Sequence, residues 1–137
     1  MSEKSYKGGC HCGNVKFEAK LDLEKGGGKC NCSMCQKTRN WSTTVKPEAF
    51  KLLTSKEALS DYKFNTESVH NYFCKNCGVR SFTEGFVKEI GGAFVSVQLA
   101  CLDLSDEEFA VLGKAPVRIS NGRDDDWMHE PKQKSHL

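Results

Sequence analysis

The sequence lacks the features that would assign it to several common classes of protein. No stretch of about 18 apolar residues occurs, so no membrane-spanning helix is predicted. Basic residues are scattered and nearly balanced, with 20 Lys and Arg against 18 Asp and Glu, and no basic run marks a phosphate-binding surface. Nucleic acid is therefore not an expected partner. The pattern G-x-x-x-x-G-K-[ST] of a phosphate-binding loop is also absent.

The N-terminus lacks the apolar segment of a secretory signal. Met1 to Gly9 is polar, so we expect a cytoplasmic protein. Closely spaced cysteines in that reducing compartment are more often metal ligands or redox groups than structural disulfides.

The length of 137 residues predicts a single domain over residues 1–137. We expect a core at about 8–120, a frayed segment from Ser2 to Lys7 and a polar tail at 121–137. Alternation of apolar and charged residues from Val15 to Leu21 predicts a half-buried strand. The glycine run Gly26–Gly28 is expected to form a flexible turn. Further extended segments are predicted at Trp41–Val45, Phe50–Leu53, Tyr62–Phe64, Val69–Phe73, Val79–Phe82 and Ala93–Leu99.

One short helix is predicted from Ser105 to Leu112. Ser105 and Glu108 have the spacing of a capping box, and Gly113 and Pro116 are typical of a helix end. The fold class is therefore mainly β with one short helix.

Cysteine is the residue that the sequence has in unusual number. Seven of the eight cysteines form three clusters along the chain, with the spacings C-x-C, C-x-C-x-x-C and C-x-x-C. Thiolates from such turns suit the tetrahedral coordination of zinc. These ligands are Cys10 and Cys12, then Cys30, Cys32 and Cys35, then Cys74 and Cys77.

The spacing divides these cysteines into a set of four and a set of three. Cys74 and Cys77 need two further ligands to close a structural site, and Cys10 and Cys12 are the isolated pair that remains. The C-x-C-x-x-C cluster is then a set of three, and three protein ligands with an open fourth position are typical of a catalytic zinc.

Two alternatives for the set of three remain open. Cys32 and Cys35 also have the spacing of a redox dithiol, although we expect them in a loop of a β protein rather than at the start of a helix. Cys101 is interpreted as a small core residue, or else as a fourth ligand that would close the site. The histidines give no H-x-x-x-H spacing, so none is a predicted ligand.

The three cysteine clusters with their neighbours resemble one known family. The segments Gly9–Phe17, Cys30–Lys37 and Phe73–Gly78 are similar to those of the glutathione-dependent formaldehyde-activating enzymes, a family that includes centromere protein V. The resemblance extends from Gly8 to about Asp103. It implies a β-tent of small twisted antiparallel sheets with zinc-binding knuckles.

The resemblance also implies roles for the cysteines and a reaction. Two zinc ions per chain are expected, a structural ion in the set of four and a catalytic ion in the set of three. The implied enzyme is a carbon–sulfur lyase that resembles S-(hydroxymethyl)glutathione synthase and adds glutathione to formaldehyde or a related small aldehyde. Lys37 and Arg39 are candidates for binding the glutathione carboxylates, and ordinary surface charge is the alternative. The alternative function is a zinc-stabilised protein-binding module without catalysis.

Overall fold

Ten strands form two sheets in the computed structural model, which describes residues 3–65 and 67–137. The strands are β1 Lys4–Gly9, β2 Lys16–Leu21, β3 Gly27–Cys30, β4 Ser42–Val45, β5 Phe50–Leu52, β6 Leu59–Tyr62, β7 Val69–Cys74, β8 Phe82–Val87, β9 Gly92–Gln98 and β10 Val117–Ser120. The two α-helices within these ranges are α1 Ser33–Thr38 and α2 Asp106–Lys114. Neither helix has the length and apolar character needed to cross a membrane.

The sheets confirm the mainly β class. The smaller sheet has the order β1-β2-β5, and the larger has the order β10-β3-β4-β9-β8-β7-β6. All pairings are antiparallel except that of β10 with β3, which is parallel. The expectation of antiparallel sheets is wrong at this pair, because β10 follows a helical crossover rather than a hairpin.

A cluster of aromatic rings packs the smaller sheet against the larger one. Phe17 of β2 stacks on Phe50 of β5 with ring centroids 5.4 Å apart. Phe82 of β8 lies 4.7 Å from Phe50 and, like Phe17, is fully buried. Alternating side chains of β2 supply the buried face, as the pattern from Val15 to Leu21 predicts.

The N-terminal segment is ordered rather than frayed. β1 pairs with β2 from Lys4 opposite Leu21 to Gly9 opposite Lys16, and Tyr6 is buried. The predicted fraying is thus wrong from Lys4 onward, because pairing with β2 satisfies the backbone of β1. Ser2 lies outside the described residues.

The glycine run begins a strand instead of forming a flexible turn. β3 starts at Gly27, and a Cβ there would collide with the Ser42 carbonyl oxygen and lie 2.6 Å from Cδ1 of Leu99. Glycine therefore allows β3 to lie close to β4. Two predicted extended segments are also displaced: Tyr62 ends β6, and β8 begins at Phe82 rather than at Val79.

The chain contains a helix that the sequence pattern does not predict, and the C-terminal tail of the chain packs on the domain. α1 is a short helix that begins after Cys32 and ends at Thr38, and the next residue, Arg39, adopts the left-handed conformation with φ of 52°. In the tail, Leu137 is buried and its backbone oxygen accepts a hydrogen bond of 3.0 Å from Nζ of Lys29. Residues 121–137 are polar but make these contacts with the larger sheet.

The predicted capping box of α2 is present, and the helix extends beyond Gly113 to Lys114. The Glu108 amide donates to Oγ of Ser105 at 3.2 Å, and the Ser105 amide donates to Oε1 of Glu108 at 2.9 Å.

We expect Ser105→Ala to lower the free energy of unfolding by about 1 kcal/mol. Urea denaturation measures this. Ser55→Ala, which removes the cap of a single 3-10 turn, should have a smaller effect, and equal effects would contradict the prediction.

Candidate metal centres

The first cysteine group consists of Cys10, Cys12, Cys74 and Cys77. Its four sulfur atoms lie within 4.8 Å of one another. The Sγ atoms of Cys10 and Cys12 are 3.7 Å apart, and those of Cys12 and Cys74 are 3.6 Å apart. Zn–S bonds of about 2.3 Å in a tetrahedron place sulfurs about 3.8 Å apart. The donor type and the spacing therefore fit a four-coordinate zinc ion.

This first group joins the two sheets. Cys10 and Cys12 follow β1 of the smaller sheet, whereas Cys74 ends β7 and Cys77 lies in the turn between β7 and β8 of the larger sheet. Backbone amides also point at the sulfurs: the Val15 amide donates to Sγ of Cys10 at 3.3 Å, and the Cys77 amide donates to Sγ of Cys74 at 3.4 Å. Such amides stabilise thiolates. Backbone hydrogen bonding from Val79 lowers the pKa of Cys77 to about 6.

The second group consists of Cys30, Cys32 and Cys35, whose sulfur atoms also lie within 4.8 Å of one another. Cys30 is the last residue of β3, Cys32 is the N-cap of α1, and Cys35 lies in the first turn of α1. The expectation that Cys32 and Cys35 lie in a loop rather than at the start of a helix is therefore wrong, because both lie at the start of α1. No further histidine, cysteine or carboxylate in the described ranges completes this group.

Hydrogen bonds among the three thiols of the second group shift the pKa values of Cys32 and Cys35 in opposite directions. Hydrogen bonding from Cys30 is the main cause that lowers the pKa of Cys32, and hydrogen bonding with Cys30 is the main cause that raises the pKa of Cys35. The amide of Cys35 also donates to Sγ of Cys32 at 3.4 Å, so Cys32 is the thiolate that the local structure favours. A thiolate is the form of cysteine that binds a divalent cation, and here the Cys32 thiolate is stabilised by hydrogen bonds from the other two thiols.

Cys101 and the histidines belong to neither group. Cys101 follows β9 in a short 3-10 turn, and burial raises the pKa of its thiol. This placement is that of a core-packed side chain rather than a fourth ligand. His70 forms a hydrogen bond of 2.6 Å with Asp61, and His11 is exposed.

The second group opens into a cavity of about 780 Å³. The cavity extends from α1 and β3 across one face of β7, β8 and β9. Its lining residues are Cys30, Cys32, Met34, Cys35, Asn40, Ser42, Phe64, Val69, Asn71, Arg80, Thr83, Val87, Glu89, Ile90, Phe94, Ser96 and Trp127. A fourth ligand or a substrate can therefore reach the three sulfurs from the cavity.

Arg80 lines the cavity beside the second group, and sequence reasoning missed it. Its Nη2 donates to Oγ1 of Thr38 at 2.8 Å and to Oδ1 of Asn40 at 3.0 Å, and its Nη1 donates to Oδ1 of Asn71 at 3.2 Å. Burial lowers the pKa of the guanidinium, whereas the negative charges of Cys35 and Cys32 raise it. Arginine stays protonated at neutral pH, so a fixed positive charge lies beside the second group. In the sequence, Arg80 follows the C-x-x-C cluster, and no motif there predicts its position beside the second group.

Lys37 and Arg39, the predicted carboxylate-binding residues, do not line this cavity. Lys37 is exposed on α1 and faces a smaller depression beside Tyr62 and Phe64. Nη2 of Arg39 donates to the backbone oxygen of Leu137 at 3.3 Å. The structure thus holds both cations outside the space that adjoins the three cysteines.

The fold and these two groups define a mainly β protein with one four-thiol and one three-thiol set that could hold metal ions, and the donors are compatible with zinc. The sequence matches the family of glutathione-dependent formaldehyde-activating enzymes over residues 5–116. The chain belongs to this family. It is also similar to a crystal structure of a Rhodobacter sphaeroides protein, with 26% identity and a TM-score of 0.66 over 81% of this chain and 98% of the other.

Proposed function

We propose that the protein is a zinc-dependent carbon–sulfur lyase that joins a thiol to an aldehyde, with glutathione and formaldehyde as the first substrates to test. The observation that carries this proposal is the three-cysteine group at the wall of a cavity. Three protein ligands leave one coordination position for a reactant, which is the arrangement of catalytic zinc sites. The family to which the chain belongs supports the choice of thiol and aldehyde.

The proposed reaction makes one bond and needs no oxidant. The thiol sulfur adds to the carbonyl carbon, the π bond of the carbonyl opens, and the oxygen receives the proton that the thiol loses. Cys30, Cys32 and Cys35 would hold the zinc ion, which would supply Lewis acidity and favour thiolate over thiol near neutral pH. The cavity holds both reactants close together, which removes part of the entropic barrier.

Arg80 offsets the negative charge of this centre. Three thiolates and one divalent cation carry one net negative charge, and a thiolate reactant adds another. A charge in a partly desolvated site is costly unless it is paired. Arg80 is fixed by Thr38, Asn40 and Asn71, so its positive charge is in place before any reactant arrives.

The same geometry also supports a rival function, a dithiol redox protein. Cys32 is the N-cap of α1 and has a lowered pKa, which is typical of a reactive cysteine at a helix N-terminus. The third sulfur argues against this rival, because a two-cysteine redox cycle needs no Cys30 within 4.8 Å of both partners. A zinc-free form with a reversible Cys32–Cys35 disulfide would favour the rival.

A protein-binding module without catalysis remains the second candidate. Phe86, Ile90 and Trp127 are 60%, 64% and 58% exposed, and a protein partner would cover these apolar side chains. Zinc would then only stabilise the fold, and the three-cysteine group would have no reaction to perform.

NMR exchange spectroscopy separates the enzyme from the module. The protein with two zinc ions is mixed with formaldehyde and glutathione, and the interconversion of free and S-hydroxymethyl glutathione is followed. This reaction also proceeds without a catalyst, so we expect exchange faster than in a protein-free sample. Exchange at the protein-free rate, with two zinc ions verified per chain, would contradict the proposed reaction.

The charge of Arg80 gives a separate prediction. We expect Arg80→Gln to weaken zinc binding at the three-cysteine group about tenfold, because it removes a positive charge that favours the thiolate forms of Cys35 and Cys32. Arg80→Lys should recover part of the affinity. Competition with a chelator measures this, and the four-cysteine group of the same molecule is the internal control. Equal weakening at both groups would indicate general unfolding instead.

A further inference from the structure

The walls of the cavity beside the three cysteines are apolar. We call these side chains the apolar wall: Met34, Phe64, Val69, Val87, Ile90, Phe94 and Trp127. The polar residues Asn40, Asn71 and Arg80 also line the cavity and are linked to one another by hydrogen bonds. The backbone joins Asn40 to the cysteines, because its amide donates to the Cys35 carbonyl at 2.9 Å. These three polar residues therefore lie beside the reacting centre. The apolar wall supplies most of the remaining lining, together with Ser42, Thr83, Glu89 and Ser96.

Two glycines leave room for aromatic side chains of the apolar wall, because glycine carries no Cβ. A Cβ at Gly85 would lie 2.6 Å from Cζ of Phe94, so the phenyl ring rests directly on the backbone of β8. A Cβ at Gly122 would lie 2.6 Å from Sγ of Cys30 and 2.7 Å from Cη2 of Trp127. Gly122 thus allows the indole to approach the second cysteine group. Nε1 of Trp127 donates to Oδ1 of Asp125 at 2.8 Å, which orients the ring.

The dimensions of the cavity exceed the needs of a one-carbon aldehyde. Formaldehyde is little larger than a water molecule, which occupies about 30 Å³ in the liquid, whereas the cavity measures about 780 Å³. Volumes of about 300–1,000 Å³ with mostly apolar walls and a few polar groups are typical of sites for larger organic molecules.

The charges of the lining do not match those of glutathione. Glutathione carries two carboxylates and one ammonium group. Apart from the cysteines, the ionisable residues that line the cavity are Arg80 and Glu89, and Arg80 already makes three hydrogen bonds. The charged ends of a peptide thiol therefore fit best at the open mouth of the cavity, and the surface of the apolar wall is left for the body of the aldehyde.

We propose that the aldehyde substrate carries an apolar chain or aryl group that the apolar wall buries, with its carbonyl beside Asn40, Asn71 and Arg80. This inference rests on the proposed addition of a thiol to an aldehyde and specifies the class of aldehyde. The bond changes are those of the parent reaction: a carbon–sulfur bond forms, the carbonyl π bond opens, and the thiol proton passes to the oxygen.

Binding of unreactive alcohols tests the apolar wall without any reaction. Straight-chain alcohols from propanol to octanol are titrated into the protein with two zinc ions, and the backbone amide signals of Val69, Thr83 and Ser96 are followed by NMR. We expect affinity to rise about fourfold per methylene until the chain fills the cavity. An absence of binding, or an affinity independent of chain length, would overturn the inference.

Substitution of one residue of the apolar wall is compared with substitution of a residue outside the cavity. Ile90 lines the cavity and is 64% exposed, so Ile90→Ser should leave the fold intact and weaken binding of the longest alcohols several-fold. Phe109 is 45% exposed on α2 and does not line the cavity, so Phe109→Ser should leave the affinities unchanged. Equal losses in both variants would overturn the assignment of the wall.

The rates for aldehydes of increasing length separate this inference from the proposed function. Hexanal and phenylacetaldehyde are compared with formaldehyde, each with glutathione. If the longer aldehydes react with larger kcat/KM, both proposals are supported. If formaldehyde is accelerated but the longer aldehydes and alcohols gain nothing, the apolar substrate is refuted and the reaction stands. If the alcohols bind with the expected dependence on length but no aldehyde reacts faster, the reaction is refuted and the apolar site stands.

Discussion

Cys12→Ser is expected to abolish one zinc site and to unfold much of the protein. Cys12 is exposed and contacts Cys10 and Cys74 through sulfur, so its replacement removes a ligand without opening a cavity in the core. A structural zinc releases about 10–16 kcal/mol in small peptides, whereas domains are stable by only about 5–15 kcal/mol. Loss of the ion therefore removes stability comparable to that of the whole fold.

The position of the site explains why the effect should be global. The four cysteines connect the loop after β1 to the end of β7, and thus the smaller sheet to the larger one. In Cys12→Ser, three sulfurs remain at this position with no cation to hold them together. Packing of Phe17 and Phe50 against Phe82 is then one of the remaining contacts between the sheets.

Thermal unfolding and metal analysis measure this prediction. Cys12→Ser should contain one zinc ion per chain instead of two and should lose most of its cooperative transition. His11→Ala is the matched control, because His11 is also exposed and is adjacent but belongs to neither cysteine group. A cooperative transition at the wild-type temperature in Cys12→Ser would refute the structural role. Chelation of the wild-type protein should reproduce the loss.

Local sequence patterns predict those parts of the fold that depend on near neighbours. The capping box of α2 depends only on Ser105 and Glu108. The C-x-C and C-x-x-C turns depend only on a few consecutive residues. The sequence also predicts the grouping of Cys10 and Cys12 with Cys74 and Cys77, because the spacing leaves few other ways to assemble four ligands. The mainly β class follows from the alternation of apolar and polar residues.

Features that depend on distant parts of the chain could not be predicted. Arg80 is fixed by Thr38 and Asn40, which are about 40 residues away, so no local pattern marks it. α1 is too short for periodicity to indicate it, and Cys32 is an unusual N-cap residue. The parallel pairing of β10 with β3 brings Trp127 near Cys30, and only the folded chain reveals that approach.

The last prediction concerns the chemistry itself. We expect Cys32→Ser to lose the acceleration of thiol addition by more than the roughly 100-fold that loss of a residue behind the ligands can cause. Serine retains an oxygen that can accept the hydrogen bond that the Cys35 amide now gives to Cys32 at 3.4 Å, so the start of α1 is preserved. It is a poor ligand for zinc, because catalytic and structural sites use thiolate, imidazole or carboxylate.

The variant should keep its fold and one zinc ion, because the four-cysteine group is untouched and joins the sheets elsewhere. The exchange rate of S-hydroxymethyl glutathione, the zinc content and the melting curve are measured on the same samples. Cys101→Ser is the control, since Cys101 is a thiol outside both groups; it should retain the acceleration and two zinc ions. Full acceleration in a Cys32→Ser protein that holds one zinc ion would move the chemistry away from the three cysteines. Loss of acceleration together with loss of the melting transition would instead make Cys30, Cys32 and Cys35 a second structural site, as the protein-binding alternative requires.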